Sequence, residues 1–436
     1  MASASRVPVI SSPKVDTDPG VDDIVAILLA LASPELEILA FVISYGNTDI
    51  DASYLNILKA YQAIAKHLEI HPEDTLRFPN FRPDSPPLLV RGVSAPLEGS
   101  LHSAQYFHGR DGLGDIAARH EELDLDNSFV EEGLGRSLTV VKEEGLDAII
   151  HTIRSRPARS ITYVALGPLT NIAMLVQKDR QAICSLIGRF VAMGGAVDVP
   201  GNTSPVAEFN FFADPFAVKR LLVSEHLTEL PLERFLLLPL DITTPHEIPF
   251  PVYRQFVDPS FSTTAEPSIA SSKAPLTHFT SSFLERTREI MLEFGKDAME
   301  LHDITAIWCA ICSPPPYLEP ADTVYPLPTG WRARKRVFDI ERTGEITRGM
   351  LVVDRREDAS AYAPGANRAE VQRLLEGTLH TKDGLWESTT VPAEVEVEMK
   401  PEIKDSPHGV WCVTDTPGPE VLLRLLFRRV WGVDLA

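Results

Sequence analysis

The stretch "KVDTDPGVDDIVAILLALASP", residues 14–34, sets four aspartates within eight positions and follows them at once with an apolar run. Asp16 and Asp18 end a predicted strand, Pro19 and Gly20 turn the chain, and Asp22 and Asp23 open a predicted helix. A helix N-terminus carries partial positive charge, so one acidic residue there is ordinary capping. Four exceed that need. Two like charges about 4 Å apart repel by roughly 4 kcal/mol at an effective dielectric near 20. A bound cation reverses the sign, and carboxylate oxygens suit Ca²⁺ or Mg²⁺.

Two familiar acidic loops can be set against this one. An EF-hand needs Gly at its sixth position and Glu at its twelfth. Counted from Asp16, those positions hold Val21 and Ile27, so that reading fails. The D-x-D of haloacid-dehalogenase-type phosphatases is nearer, since Asp16 and Asp18 fit it. There the first Asp is a nucleophile and the third position helps as acid/base. A Gly-Thr or Gly-Val normally follows, however, and here the chain continues Pro19-Gly20-Val21-Asp22-Asp23.

Outward from this stretch the chain alternates strands and helices. "VPVI", "LEILAFVIS", "ARSITYVALG", "IGRFVAMGG" and "RFLLLPLDI" read as strands. "DDIVAILLALAS", "ASYLNILKAYQAIAKHL", "PLTNIAMLVQ" and "DPFAVKRLLVS" read as helices. The expectation is an α/β fold with an open, mostly parallel central sheet flanked by helices, around a Rossmann-like core. Ligands of such sheets bind beyond the carboxyl ends of the strands. Residues 1–356 are expected to form one domain, with loop insertions near 71–87, 121–147 and 257–277. The last of these reads as a mobile surface loop. Residues 357–436 are expected to be an extension packed on the same domain, irregular until the amphipathic helix in "PEVLLRLLFRRVWGV".

The 436 residues, 44% hydrophobic and 23% charged, suit a soluble globular protein, and the net charge of −20 opposes nucleic-acid or anionic-membrane binding. No run approaches the roughly 18 apolar residues of a membrane helix. Four cysteines do not make a disulfide scaffold, and Cys309 and Cys312 in "AIWCAICSP" read as reduced core thiols. The expected compartment is the cytoplasm, with the nucleus as the other reducing possibility.

Four further motifs carry polar chemistry. "YFHGRDGLGD", residues 106–115, is a glycine-punctuated loop with His108 and Asp111, either a plain turn or a close approach to a ligand. "LGPLTNIA", residues 166–173, ends a strand and starts a helix; Thr170 or Asn171 caps it, or the Leu166 carbonyl ligates a hard cation. In "MGGAVDVPGNTSPVAEFNFFADP", residues 193–215, an extended backbone would point Glu208 and Asn210 one way and Phe209 toward the core. With Asn202 they form a carboxylate and two amides suited to sugar hydroxyls. In "ELHDITAIWCAI", residues 300–311, His302 and Asp303 precede a buried helix, and Asp303 is a cap or a metal ligand.

Taken together these motifs resemble the inosine-uridine-preferring nucleoside hydrolases. "DTDPGVDD", "YGNT", "HGRDGLG", "GPLTNIA", "MGG", "GNTSPVAEFNFFADP", "LHDITA" and "DIERTGEITRGMLVVD" run in that family's order over residues 14–354. The resemblance implies that Asp18, Asp23, the Leu166 carbonyl and Asp303 hold one Ca²⁺, with Asp16 supporting from behind. It implies that Asp18 takes a proton from the attacking water as general base. It also implies that Asp22 and Asn47 grip the ribose 2′- and 3′-hydroxyls, while Met193, Asn202, Glu208 and Asn210 hold the 5′ side. His302 is the candidate acid for the departing base, and His108 lines the pocket. The implied reaction is ribonucleoside hydrolysis to ribose and free base, as in nucleoside salvage. Expected partners are a small ribonucleoside and further copies of the chain, as dimer or tetramer, with no nucleic acid and no membrane. The rivals are a dehalogenase-type phosphatase, which leaves "AEFN" unexplained, and a non-catalytic Ca²⁺-dependent nucleoside or sugar binder. One departure stands out: "SSPK" interrupts the first strand, and Pro13 cannot donate a ladder bond, so an edge, bulge or bend is expected there.

Overall fold

Apolar residues alternating along short strands give a sheet with two buried faces. In the computed structural model, which describes residues 12–81, 84, 86–126, 129, 137–142, 145–223, 230–315, 327–353 and 409–435, they do so around a nine-stranded sheet. The strands are β1 (Ser12–Thr17), β2 (Ala40–Ile43), β3 (Leu88–Arg91), β4 (Thr139–Val141), β5 (Ile161–Ala165), β6 (Ile187–Met193), β7 (Phe235–Leu238), β8 (Glu247–Pro249), β9 (Ala298–Glu300), β10 (Arg332–Arg336), β11 (Phe338–Ile340), β12 (Leu351–Val353) and β13 (Val410–Asp415). The helices are α1 (Val21–Leu31), α2 (Ile50–Ile70), α3 (Gln105–His108), α4 (Ile116–Arg119), α5 (Gly145–Arg154), α6 (Thr170–Leu186), α7 (Phe209–Ala213), α8 (Pro215–Leu222), α9 (Leu240–Thr243), α10 (Phe250–Phe256), α11 (Pro275–Glu293), α12 (His302–Cys312) and α13 (Pro419–Leu426).

The main sheet runs β10-β13-β7-β6-β5-β1-β2-β3-β4, and β8–β9 and β11–β12 form separate two-stranded ribbons. Neighbours in the main sheet are parallel except β10 and β13. From β1 the chain steps outward through β2, β3 and β4 on one side and through β5, β6 and β7 on the other. The order therefore reverses at β1, and the crevice beyond its carboxyl end is the switch point where such sheets bind ligands.

Strand alternation sends Val15, Phe41, Val164 and Val191 to one core and Val42, Tyr163, Ala165 and Phe190 to the other. The first core lies under α1, α2, α11 and α12, and the second under α5, α6 and α8. Helix α1 is apolar on nearly every side and accordingly buried against α2, α11 and α12. Its carboxyl end is sealed by Asn80, whose Nδ2 donates to the Ala30 and Ser33 carbonyls at 3.0 and 2.8 Å.

Several expectations change here. "VPVI" lies outside the described residues, and the first described strand includes Pro13. That strand is interior to the sheet, between β5 and β2: its pairing with β5 starts at Ser12 and with β2 only at Lys14. Pro13 thus sits in the strand's first turn of ladder, where the missing donor is tolerated. Within 71–87, Pro72–Arg77 forms a 3₁₀ helix. In 257–277 the chain is fastened by Lys273 Nζ to Asp258 at 2.6 Å and by the buried ring of Phe261. Part of 121–147 and all of 354–408 lie outside the described residues. Beyond them the chain is not irregular up to its helix: β13 enters the main sheet between β7 and β10. Helix α13 follows, and Trp431 packs edge-on against Tyr253 with ring centroids 5.4 Å apart. All four cysteines are free thiols. Among the described residues no helix is long and apolar enough to cross a membrane.

Candidate active site

The aspartates fan out from the end of β1 because alternation sends them to different neighbours. Asp16 lies on the face of Tyr163 and α6. Its Oδ1 accepts from Asn171 Nδ2 at 2.7 Å and its Oδ2 from the Tyr163 hydroxyl at 2.8 Å. Burial nevertheless pushes its pKa up to about 7. Both oxygens being engaged, Asp16 is a poor nucleophile, which removes the footing of the phosphatase reading. Asp18 stands one step beyond the strand. Its Oδ2 accepts from Asn47 N at 2.9 Å, while its Oδ1 is buried with no hydrogen-bond partner. Glycines make room for it: a Cβ on Gly167 would lie 2.5 Å from Asp18 Oδ1, and one on Gly46 would meet Oδ2.

Asp23 closes the first turn of α1 by accepting from Thr17 Oγ1, Gly20 N and Asn47 Nδ2, the last at 2.7 Å. Asp303 comes from the first turn of α12, which packs on α1. Asp22, Asp23 and Asp303 each place one carboxylate oxygen within 4.8 Å of the others. Burial, with repulsion between the acids, raises the pKa of Asp18 and Asp303 well above the usual carboxylate range and that of Asp22 to about 7. The donors are all hard oxygens, one of them orphaned. That set fits a divalent cation of the Ca²⁺ or Mg²⁺ kind. The Leu166 carbonyl faces the same place but accepts from Asn210 Nδ2 at 2.6 Å, leaving its second lone pair for a cation.

A cleft of about 480 Å³ opens beside the cluster. Asp22, Asn47, His108, Leu166, Met193, Asn202, Glu208, Asn210, His302 and Asp303 all line it, with Asp18 and Asp23 buried behind. The extended backbone expected at Glu208–Asn210 is replaced by a helix start. Glu208 caps α7, accepting from Asn210 N at 2.8 Å and Phe211 N at 3.1 Å, and also from Gly195 N at 2.8 Å. A carboxylate followed by backbone N–H groups two and three residues on is a capping pattern, and it outcompetes the period of two. Asn202 Oδ1 accepts from Phe209 N at 3.0 Å, which holds its loop over the cleft. His108 Nδ1 accepts from Val21 N at 3.1 Å, and burial pushes its pKa down to about 3. The ring is therefore neutral, with its proton on Nε2.

Three lining or supporting residues were not foreseen. His302 Nε2 lies 3.0 Å from Glu300 Oε2, its Nδ1 lies 2.8 Å from Thr243 Oγ1, and Lys296 Nζ bonds Glu300 Oε1 at 2.9 Å. Burial alone would lower the His302 pKa, but the Glu300 carboxylate raises it. Glu300 was visible as an acid two residues before the histidine; Thr243 and Lys296 were not, being distant in sequence. The outer cleft is apolar, with Tyr106, Phe107, Phe209, Met291, Phe294 and Met299.

A family model described as inosine-uridine preferring nucleoside hydrolase matches residues 14–382. Among curated relatives, an uncharacterised protein of Schizosaccharomyces pombe is 29% identical over 78% of this chain and 88% of its own length. The pyrimidine-specific ribonucleoside hydrolase RihA of Klebsiella pneumoniae is 28% identical over 78% of this chain and 87% of its own. Uridine nucleosidase 1 of Arabidopsis thaliana is 30% identical over 48% of this chain, which spans about half of that relative's length, 52%. Among solved structures, a plant nucleoside hydrolase shares the fold with a TM-score of 0.60 at 21% identity, covering 97% of this chain and 99% of its own. The purine-preferring ribonucleoside hydrolase of Gardnerella vaginalis does so with a TM-score of 0.60 at 19% identity, covering 97% and 98%.

Proposed function

The chain belongs to the inosine-uridine preferring nucleoside hydrolases, and from that premise we propose that it cleaves the N-glycosidic bond of ribonucleosides such as uridine and inosine with the help of one Ca²⁺. The observation that carries this reading is the buried, unpartnered Oδ1 of Asp18 against Gly167, its carboxylate repelled by the neighbouring acids Asp22, Asp23 and Asp303. Asp18, Asp23, Asp303 and the Leu166 carbonyl would hold the ion. Several carboxylates and a backbone carbonyl at a buried site favour Ca²⁺ over Mg²⁺, which keeps more of its waters. When bound, the cation offsets the crowded negative charge and acidifies a neighbouring water.

The residues then divide the work. Asp18 Oδ1, with no other partner to surrender, takes the proton of the attacking water. Asp22 and Asn47 orient the 2′- and 3′-hydroxyls. Asn202, Glu208, Asn210 and Met193 hold the 5′ side, and the carboxylate and amide oxygens stabilise positive charge growing on the ribosyl ring. Water adds to the anomeric carbon as the bond to the base breaks. His302 supplies the proton to the base by giving up its contact with Glu300 or Thr243. His108, neutral and anchored to the first turn of α1, donates its Nε2–H to the ligand rather than acting as an acid. The apolar outer cleft receives the base.

The test is release of free ribose from uridine and from inosine, with and without EDTA. Ribose that appears only with metal supports the reading. Binding without turnover would turn the protein into a metal-dependent nucleoside binder and overturn it. Assembly as a homodimer or homotetramer in the cytoplasm belongs to the same proposal, and light scattering of the purified chain tests the assembly.

A further inference from the structure

A second group of metal-type side chains lies away from the aspartates, where the turn after α4 packs on α11. His120 and His278 are buried, Glu122 is exposed, and one ligand atom from each falls within 4.8 Å of the others. The contacts converge on one oxygen. Glu122 Oε1 is 2.8 Å from His278 Nε2 and 3.3 Å from His120 Nδ1.

The far side of each ring is also fixed. His120 Nε2 lies 3.4 Å from Glu285 Oε2, and His278 Nδ1 lies 2.9 Å from Ser268 Oγ. Glu285 is itself buried and anchored by Arg119 Nη1 at 3.0 Å and by Ser268 N. An imidazole that donates its outer N–H to a carboxylate turns a lone pair inward, and metal-bound histidines are oriented in this way. Without a cation these contacts are hydrogen bonds from the rings to Glu122 Oε1; a cation would take the place of the shared protons, each outer ring nitrogen then donating to Glu285 or Ser268. The Lys66 ammonium does not fill that role, since it contacts the Glu122 backbone carbonyl at 3.5 Å. A cleft of about 220 Å³, lined by Glu122 and His278, opens onto the group and leaves room for water as a remaining ligand.

We propose that His120, Glu122 and His278 form a second cation site, specific for a divalent transition metal of the Zn²⁺ class. Two imidazoles and one carboxylate are a borderline-soft donor set, unlike the all-oxygen aspartate cluster. The site clamps the turn Glu121–Leu123 onto α11, whose far end carries Met291 into the catalytic cleft.

The test titrates the full-length protein with CoCl₂ in millimolar CaCl₂, which occupies the aspartate cluster, and reads visible absorption. The site predicts one equivalent of Co²⁺ with ligand-field bands of nitrogen–oxygen coordination, displaced by Zn²⁺. In Glu122→Ala and His278→Ala the Kd should rise at least about tenfold, and in Ser268→Ala about tenfold through loss of ring orientation. Glu122 is exposed, so its variant carries the test if a histidine variant fails to fold. Absence of the bands at one equivalent, or unchanged affinity in Glu122→Ala, would overturn the site. No turnover is measured, so the result stands apart from the hydrolase reading.

Discussion

His302 and Glu300 face each other across 3.0 Å at the wall of the cleft, the histidine Nε2 against the carboxylate Oε2. The pair works in both directions. The carboxylate raises the histidine's pKa against the effect of burial, and despite burial the histidine and Lys296 hold Glu300 down to about 2. Glu300→Gln removes the charge and keeps the shape. We expect kcat to fall by about tenfold or more with KM little changed. The alkaline limb of the kcat profile should move to lower pH, because His302 then loses its proton earlier. An unmoved limb would show that Glu300 does not govern the histidine.

Asp18→Asn removes one charge from a repelling cluster and the proposed base along with it. The metal-free variant should melt no lower than wild type. The rise in Tm on adding Ca²⁺ should shrink, and kcat should fall on the order of 10²–10⁴-fold. Differential scanning fluorimetry with and without Ca²⁺, beside ribose release, checks all three. Gly167→Ala should reduce the Ca²⁺-dependent rise in Tm and kcat without touching a charge, and unlike Asp18→Asn should also lower the metal-free Tm, since its Cβ would lie 2.5 Å from Asp18 Oδ1.

The raised aspartate pKa values set a sign for stability against pH. Asp16 and Asp22 titrate near 7 in the folded protein and near 3.8 when exposed. Between those values the folded state binds more protons than the unfolded one, so stability falls as pH rises. The metal-free protein should therefore be more stable near pH 5 than near pH 7.5. Bound Ca²⁺ should flatten that slope by removing the share of the ligand cluster. Urea midpoints across the range measure it; a midpoint that rises with pH in EDTA would contradict the burial of these acids.

Trp431 tests how far the C-terminal segment is built into the core. Its ring packs on Tyr253 and Phe427, and its Nε1 donates to Thr280 Oγ1 at 3.2 Å. Trp431→Ala should cost about 3 kcal/mol of stability. Ribose release at a temperature well below the melting point should stay close to wild type.

Local chemistry was what the sequence made legible. Asp16, Asp18, Asp22 and Asp23 crowd a strand end, and charge repulsion marks such a cluster without any knowledge of its neighbours. The strand–helix alternation likewise gave the parallel sheet and the carboxyl ends of its strands as the ligand side, while the reversal at β1 is seen only in the strand order. What escaped reading depended on distant partners. Pro13 looks like an edge signal because a local rule cannot see that β2 joins β1 two residues later than β5 does. Glu208 and Asn210 were assigned to one wall through the wrong geometry, the cap of α7 having replaced an extended chain. Strand β13 pairs antiparallel with β10 and parallel with β7, from which it is far removed in sequence, so alternation gave no hint of it.

That late strand also bears on how the molecule comes to be. β7 cannot acquire its outer neighbour until residues 410–415 have been synthesised, and Arg429 reaches back across 396 positions to Ser33. Contacts so remote in sequence close large loops and slow folding. On the ribosome, the edge of β7 would stay open while nearly all of the chain emerges, a template for strand pairing between neighbouring nascent chains.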